Sequence, residues 1–289
     1  MKNHLIRLLF LLLFVSQGLI AEEKTEASQE ETVAAEEEKE TYIKDLVEDY
    51  EESLGFFVTY RDPESNQIFL KVSKDQLKKE FIYFAHVING VASTGKVKGS
   101  YTDEGIFKIE KDFNKLRFSR VLTNYSFDDD NPLSKSKGAN ISDSTFQVVD
   151  ILAENEEENE YLIEITGLLL SETLTPILPI YSPEGPPPGF MWGQLSPLKS
   201  RVTGVFNYEE NTDFEVEYVI ESAPSYEYES EDVADPRNVN INLRYSFIEM
   251  PKNDFEPRLA NQSIGYFSER VTDLTSKDVT PYKDPVSYT

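Results

Sequence analysis

From residue 56 onward, apolar side chains recur at every second position. That spacing turns one face of a β-strand toward a core and the other away from it. The clearest run is 238–248, where Val239, Ile241, Leu243, Tyr245 and Phe247 share a face. Residues 202–208 and 214–220 predict a strand pair around a polar turn at Glu209, Glu210 and Asn211. Upstream, 56–60 and 68–72 are strands joined by Arg61-Asp62-Pro63-Glu64-Ser65-Asn66, a run of turn formers. The apolar stretch 81–88 has strand length. Residues 105–110 and 116–122 predict a hairpin around 111–114, and 145–152 pairs with 161–166 across the acidic tip 154–160. Helical spacing appears once: Tyr42, Ile43, Leu46, Val47, Tyr50 and Leu54 predict an amphipathic helix stopped by Gly55. Ser73 with Gln76 predicts a capped helical turn through Lys79.

The connections have their own chemistry. Gly90, Gly95 and Gly99 mark a flexible link, and 128–144 is a loop rich in Asp, Ser, Lys and Gly. Residues 174–198 hold many prolines, including Gly185-Pro186-Pro187-Pro188-Gly189, and predict a long irregular surface loop. Residues 226–235 predict a polar loop, and 271–289, with Pro281 and Pro285, show no strand pattern. There is no internal repeat and no βαβ alternation. The expected fold is mainly β: antiparallel sheets, sandwich- or barrel-like, with one N-terminal amphipathic helix and long Pro-rich loops. The β-rich domain is expected over 41–270, followed by a connector at 271–289.

The first forty residues follow different rules. Lys2 and Arg7, the apolar run 8–15 and small-residue cleavage after Ala21 predict a signal peptide over 1–21. The apolar run is short for a bilayer span, which takes roughly 20 residues. The expectation is export to the periplasm or beyond, with no stable membrane insertion after cleavage. Residues 22–40 are acidic and free of aromatics, too polar to offset their ordering entropy, and predict a disordered linker. Net charge is -25. Residues 22–52 contribute -11 of it, and 53–289 contribute -16. A protein this acidic is not expected to bind nucleic acid, which requires a surplus of Lys and Arg.

Composition narrows the chemistry further. With no Cys, the chain has no disulfide, thiolate zinc site or thiol nucleophile. His4 lies in the expected leader, so His86 is the one imidazole of the mature chain. Its apolar run, FIYFAHVI, reads as that of a satisfied structural residue. No His-Glu-x-x-His, Gly-x-Ser-x-Gly, Walker A or dinucleotide-binding glycine motif occurs. Asp128-Asp129-Asp130 invites a calcium reading, but the sixth and twelfth loop positions are Leu133 and Ala139 where an EF-hand needs Gly and Glu. Trp192, in Gly189-Phe190-Met191-Trp192-Gly193, either anchors its loop or stacks on a sugar or peptide. Asn124, Asn140 and Asn261 begin sequons, which matter in a glycosylating pathway. No catalytic, cofactor-binding or metal-binding residue is assigned, and no cofactor is expected.

Several stretches carry a resemblance. Gly55-Phe56-Phe57 with Tyr60-Arg61-Asp62, Asp75-Gln76-Leu77 with Glu80-Phe81-Ile82-Tyr83, Leu243-Arg244-Tyr245-Ser246 with Met250-Pro251 and Pro257-Arg258, and Ile264-Gly265-Tyr266-Phe267 follow in order. Together, over roughly 50–289, they resemble the domain of unknown function that precedes the catalytic domain in large bacterial zinc-dependent, metzincin-like metalloproteases. The family's Asp-x-Arg before Gly-Tyr-Phe reads Asn261-Gln262-Ser263 here. Its zinc ligands and catalytic Glu have no positions here to map onto. The resemblance implies a non-catalytic, prodomain-like N-terminal scaffold of a secreted metalloprotease-like protein, expected to be truncated, with a metalloprotease catalytic domain as its partner. The competing expectations are a stand-alone periplasmic or surface module binding a glycan or peptide, and a carboxylate-based hydrolase.

Overall fold

The computed structural model describes residues 42–139, 141–178, 193–222, 231–252, 258–259, 271–275, 282–283 and 285–286. The expected leader, the acidic linker, Trp192 and the Gly265-Tyr266-Phe267 segment lie outside these residues, as do Asn140 and Asn261.

In chain order the first strands are β1 (Glu51–Ser53), β2 (Val58–Arg61), β3 (Ile68–Ser73), β4 (Glu80–Asn89), β5 (Tyr101–Asp112) and β6 (Lys115–Arg120). After a short β7 (Tyr125–Ser126) come β8 (Ser144–Asn155), β9 (Glu160–Glu164), β10 (Gln194–Leu195), β11 (Arg201–Asn207), β12 (Asn211–Glu221) and β13 (Asn238–Glu249). All but β7 form one antiparallel sheet that curls into a half-barrel, in the order β1-β2-β3-β9-β8-β6-β5-β4-β13-β12. Both β10 and β11 pair with β12. Strand β4 lies between β5 and β13, so the middle of the sheet joins residues far apart in the chain.

Period-two alternation explains the core. Val239, Ile241, Leu243, Tyr245 and Phe247 are all buried, as the sequence pattern requires. Other strands supply Phe81, Phe107, Phe118 and Phe214, and the bend before β2 supplies Phe57. Phe247 lies 5.0 Å from Phe107, tilted, and 5.4 Å from Phe214, edge-on. Such pairing adds to the burial term of roughly 1.5–3 kcal/mol per large apolar side chain. The β5–β6 ladder runs to Asp112↔Lys115, two residues tighter than the pattern suggests. Phe113, in the turn, adopts φ 53 and is 91% exposed.

One expectation is corrected. The helix read over 42–54 is α1 (Ile43–Leu46), followed by a turn and by β1. A helix this short is weak on its own, and the backbone at Glu51–Ser53 pairs instead with Arg61–Thr59. The apolar positions are still used: Ile43 packs with Tyr60, Phe69 and Leu162, and Tyr50 stacks on Phe69 at 5.1 Å. Gly55 is not a helix stop. A Cβ there would meet Asn207 Cβ at 2.6 Å and the Tyr208 carbonyl oxygen at 2.8 Å, so the glycine permits a close chain crossing. At the C-terminus the chain forms short bridges. Strand β14 (Arg258–Leu259) pairs with β17 (Pro285–Val286), and β15 (Val271–Asp273) pairs with β7 and with β16 (Tyr282–Lys283). Bridges of two or three residues are too short to show a period. The expected capped turn does form, as a 3₁₀ turn at Lys74–Gln76 that stops short of Lys79, with Ser73 N donating to Gln76 Oε1 at 3.0 Å.

Candidate functional site: an aromatic-walled cavity

A second short helix, α2 (Thr166–Leu169), and residues 170–178 pack on the concave face through Leu168, Leu169, Leu174 and Ile177. Two phenols hold this cap. Tyr83 Oη donates to the Leu174 carbonyl at 2.9 Å, and Tyr218 Oη donates to the Leu169 carbonyl. Glu172 Oε1 accepts from the amides of Ile177 at 2.8 Å and Leu178 at 2.7 Å, pinning the loop on itself.

Between cap and sheet is a cavity of about 390 Å³. Phe107, Phe146, Phe247, Leu174 and Pro176 line its apolar side. Its polar side has Tyr83, Asp103, Arg120, Ser144, Glu172 and Thr173. Arg120 Nη2 lies 2.7 Å from Asp103 Oδ2, and the guanidinium sits over the Tyr83 ring at 5.7 Å. A bulge places Asp103. The β4–β5 register shifts between Ala85↔Asp103 and His86↔Tyr101, which leaves Thr102 extra. Asp103 therefore shares the side of inward-facing Ala85.

Burial sets the protonation of the groups around the cavity. Burial, with the Asp103 charge, pushes the Tyr83 phenol well above its ordinary range, although Arg120 opposes this. The phenol stays protonated near neutral pH. Lys96, whose Nζ is 3.5 Å from the Pro176 carbonyl, has its pKa lowered by burial against the opposing charge of Glu172. Among the described residues, no group of three or more His, Cys, Asp or Glu gathers where a metal ion would sit.

The residues singled out in the sequence lie elsewhere. His86 is paired with Arg244 on the neighbouring strand β13, off the cavity. Its Nδ1 is buried and has no hydrogen-bond partner among the described residues, so it is not the satisfied imidazole expected. Burial and the Arg244 guanidinium push its pKa down, while Asp213 and Glu215 pull weakly the other way. Arg244 itself is bonded to Glu215 and lies over the Phe206 ring at 5.6 Å. In the Asp triplet, Asp128 accepts from the Asp130 amide at 3.1 Å, and its own amide donates to buried Thr275 Oγ1 at 2.9 Å. That loop is tied to the C-terminal segment.

The sequence alone marks no role for Asp103, Arg120 or Glu172. A signal existed for the first two. Asp103 falls on the parity of Phe107 and Ile109 in β5, and Arg120 on that of Leu116 and Phe118 in β6. Charged residues at these positions near strand ends point to a polar edge where the sheet's inner face opens to solvent.

A family model for the domain of unknown function DUF5117 matches residues 99–283. The chain belongs to that family. No curated protein and no solved structure matches it. The DUF5117 match includes Asp103, Arg120 and Glu172. Tyr83 lies upstream of it, on a strand at the middle of the same sheet, so β1–β4 complete the sheet that the family stretch builds. No helix among the described residues is long and apolar enough to cross a membrane.

Proposed function

We propose that this chain is the non-catalytic β-scaffold region of a secreted zinc-metalloprotease-like protein, acting through its surfaces on a catalytic domain. The observation that carries the reading is how the described resemblance residues on β2, β4 and β13 are used: they hold the sheet together. Arg61 Nε donates to Asn66 Oδ1 at 2.7 Å, and Asn66 Nδ2 reaches across to the Val202 carbonyl at 3.1 Å. Tyr83 and Tyr245 are core residues, Ser246 is buried, and Arg244 is engaged by Glu215. Side chains so committed to architecture suit a scaffold better than a reaction centre. The lone imidazole, set beside a guanidinium, supports the same reading, because hydrolytic zinc sites need several His or carboxylate ligands around an open position.

The test is co-expression of the secreted chain with a His-Glu-x-x-His domain encoded downstream or in a neighbouring reading frame. The two are expected to copurify, and soluble peptidase is expected to require the β-domain. Stoichiometric zinc and peptide cleavage in the purified chain alone would overturn the proposal.

A further inference from the structure

The cavity has no part in the scaffold reading, and its chemistry points to a ligand. Its volume of about 390 Å³ lies at the low end of ligand pockets, which run from roughly 300 to 1,000 Å³. That space takes a group the size of one or two side chains. Phe107, Phe146 and Phe247 offer an apolar wall. The cap is held by Tyr83, Tyr218 and Glu172 before any ligand arrives, so little ordering remains to be done on binding.

The charges decide the class of ligand. Arg120 is paired with Asp103, and the lining adds a second carboxylate, Glu172. A phosphate or free carboxylate would meet no surplus of positive charge. The Arg120–Asp103 pair nonetheless offers complementary groups side by side. A guanidinium has five N–H donors, and a carboxylate has about four acceptor sites. Their mutual contacts leave donors on Arg120 and acceptors on Asp103. A secondary amide, with one donor and one acceptor, matches that arrangement. The apolar wall and polar edge then describe a peptide unit bearing a large apolar side chain.

We propose that the cavity binds an uncharged peptide segment, seating one aromatic or branched apolar side chain against Phe107, Phe146 and Phe247 and presenting a backbone amide to Asp103 and Arg120.

The probe is N-acetyl-phenylalaninamide, titrated into the ¹⁵N-labelled mature chain. A ligand so small is expected to bind with a dissociation constant of about 1 mM. Amide shifts should concentrate at Phe146 and 172–174. N-acetyl-phenylalaninate should bind about tenfold more weakly, and N-acetylglucosamine should leave the same amides unmoved. Ser144→Trp should fill the cavity and abolish binding. Arg120→Met should weaken the amide about tenfold while toluene, which needs the wall alone, binds unchanged. The proposal is overturned if wild-type shifts are absent or scattered, if the free acid or the sugar binds better, or if Arg120→Met weakens toluene and amide equally. The wild-type shift map decides the matter even where a variant fails to fold.

Discussion

Between β12, β13 and β4 the half-barrel is held by backbone ladders. Strands β12 and β13 stay in register from Asn211↔Ile248 to Glu221↔Asn238 without a shift. Where residues 53–57 meet 207–212, the sheet's first strands reach its last by other means. There the Phe56 amide donates to the Tyr208 carbonyl at 2.7 Å, and the Phe57 amide donates to Thr212 Oγ1 at 3.0 Å. Asn207 Nδ2 reaches the Ser53 carbonyl at 2.9 Å and Thr59 Oγ1 at 3.0 Å. A ladder draws on groups that every residue but proline carries. The seam draws on a few particular side chains and on Gly55, where no Cβ fits. The two junctions serve one fold, but mutation should affect them differently.

The largest effect is expected on the ladder side, in the core beneath it. Phe247 lies within 6.4 Å, centroid to centroid, of the rings of Phe57, Tyr83, Phe107 and Phe214. Phe247→Ala should cost about 3–5 kcal/mol by leaving a cavity among rings that cannot close over it. Urea unfolding should show the loss in a single transition. The seam should respond locally. Asn207→Ala leaves its acceptors on Ser53 and Thr59 without their donor and should cost about 2 kcal/mol. Hydrogen exchange should quicken at the Phe56 and Phe57 amides while the β12–β13–β4 amides keep their protection. Uniform loss of protection would mean that the seam is not a separate unit.

A smaller effect tests where the ladder meets the cap. Tyr245 Oη lies 2.6 Å from Tyr218 Oη, whose own proton goes to the Leu169 carbonyl. Tyr245 is therefore the donor of the pair. Tyr245→Phe removes that donor and leaves Tyr218 bonded to the cap, so the loss should be about 1 kcal/mol. Tyr218→Phe should cost more, because the Leu169 carbonyl loses its partner. Thermal denaturation of both variants would rank them.

The same contrast explains what could be read from the sequence. Strands with four or more alternating positions, such as β12, β13 and β4, were legible because burial on one face leaves a period. So was the Ser73–Gln76 turn, whose partners are three residues apart. The seam was not, since Asn207 and Ser53 are 154 residues apart and no periodicity links them. Helical spacing at 42–54 misled, because strand pairing across Arg61 outweighed a weak local preference. The cavity was half legible: Asp103 and Arg120 break the inward apolar pattern, but Glu172 acts through loop amides that no pattern reveals.

The smallest effect belongs to the outer side of the ladder, at His86. Burial and Arg244 lower its folded-state pKa below the ordinary 6.5. The folded protein thus binds fewer protons than the unfolded chain wherever pH lies between the two values. Stability rises with pH across that window, so it should fall as pH drops below about 6.5 and level off once the folded imidazole is protonated. Asp213 and Glu215 face the same ring and soften the loss. His86 is the sole imidazole of residues 22–289, so no other side chain has an ordinary pKa inside this range. His86→Leu should flatten the urea midpoint between pH 6.5 and 5 relative to wild type, while the general acidity of the chain affects both proteins alike. If wild type and variant keep parallel midpoints across that range, the Arg244–His86 pairing does not hold the imidazole neutral.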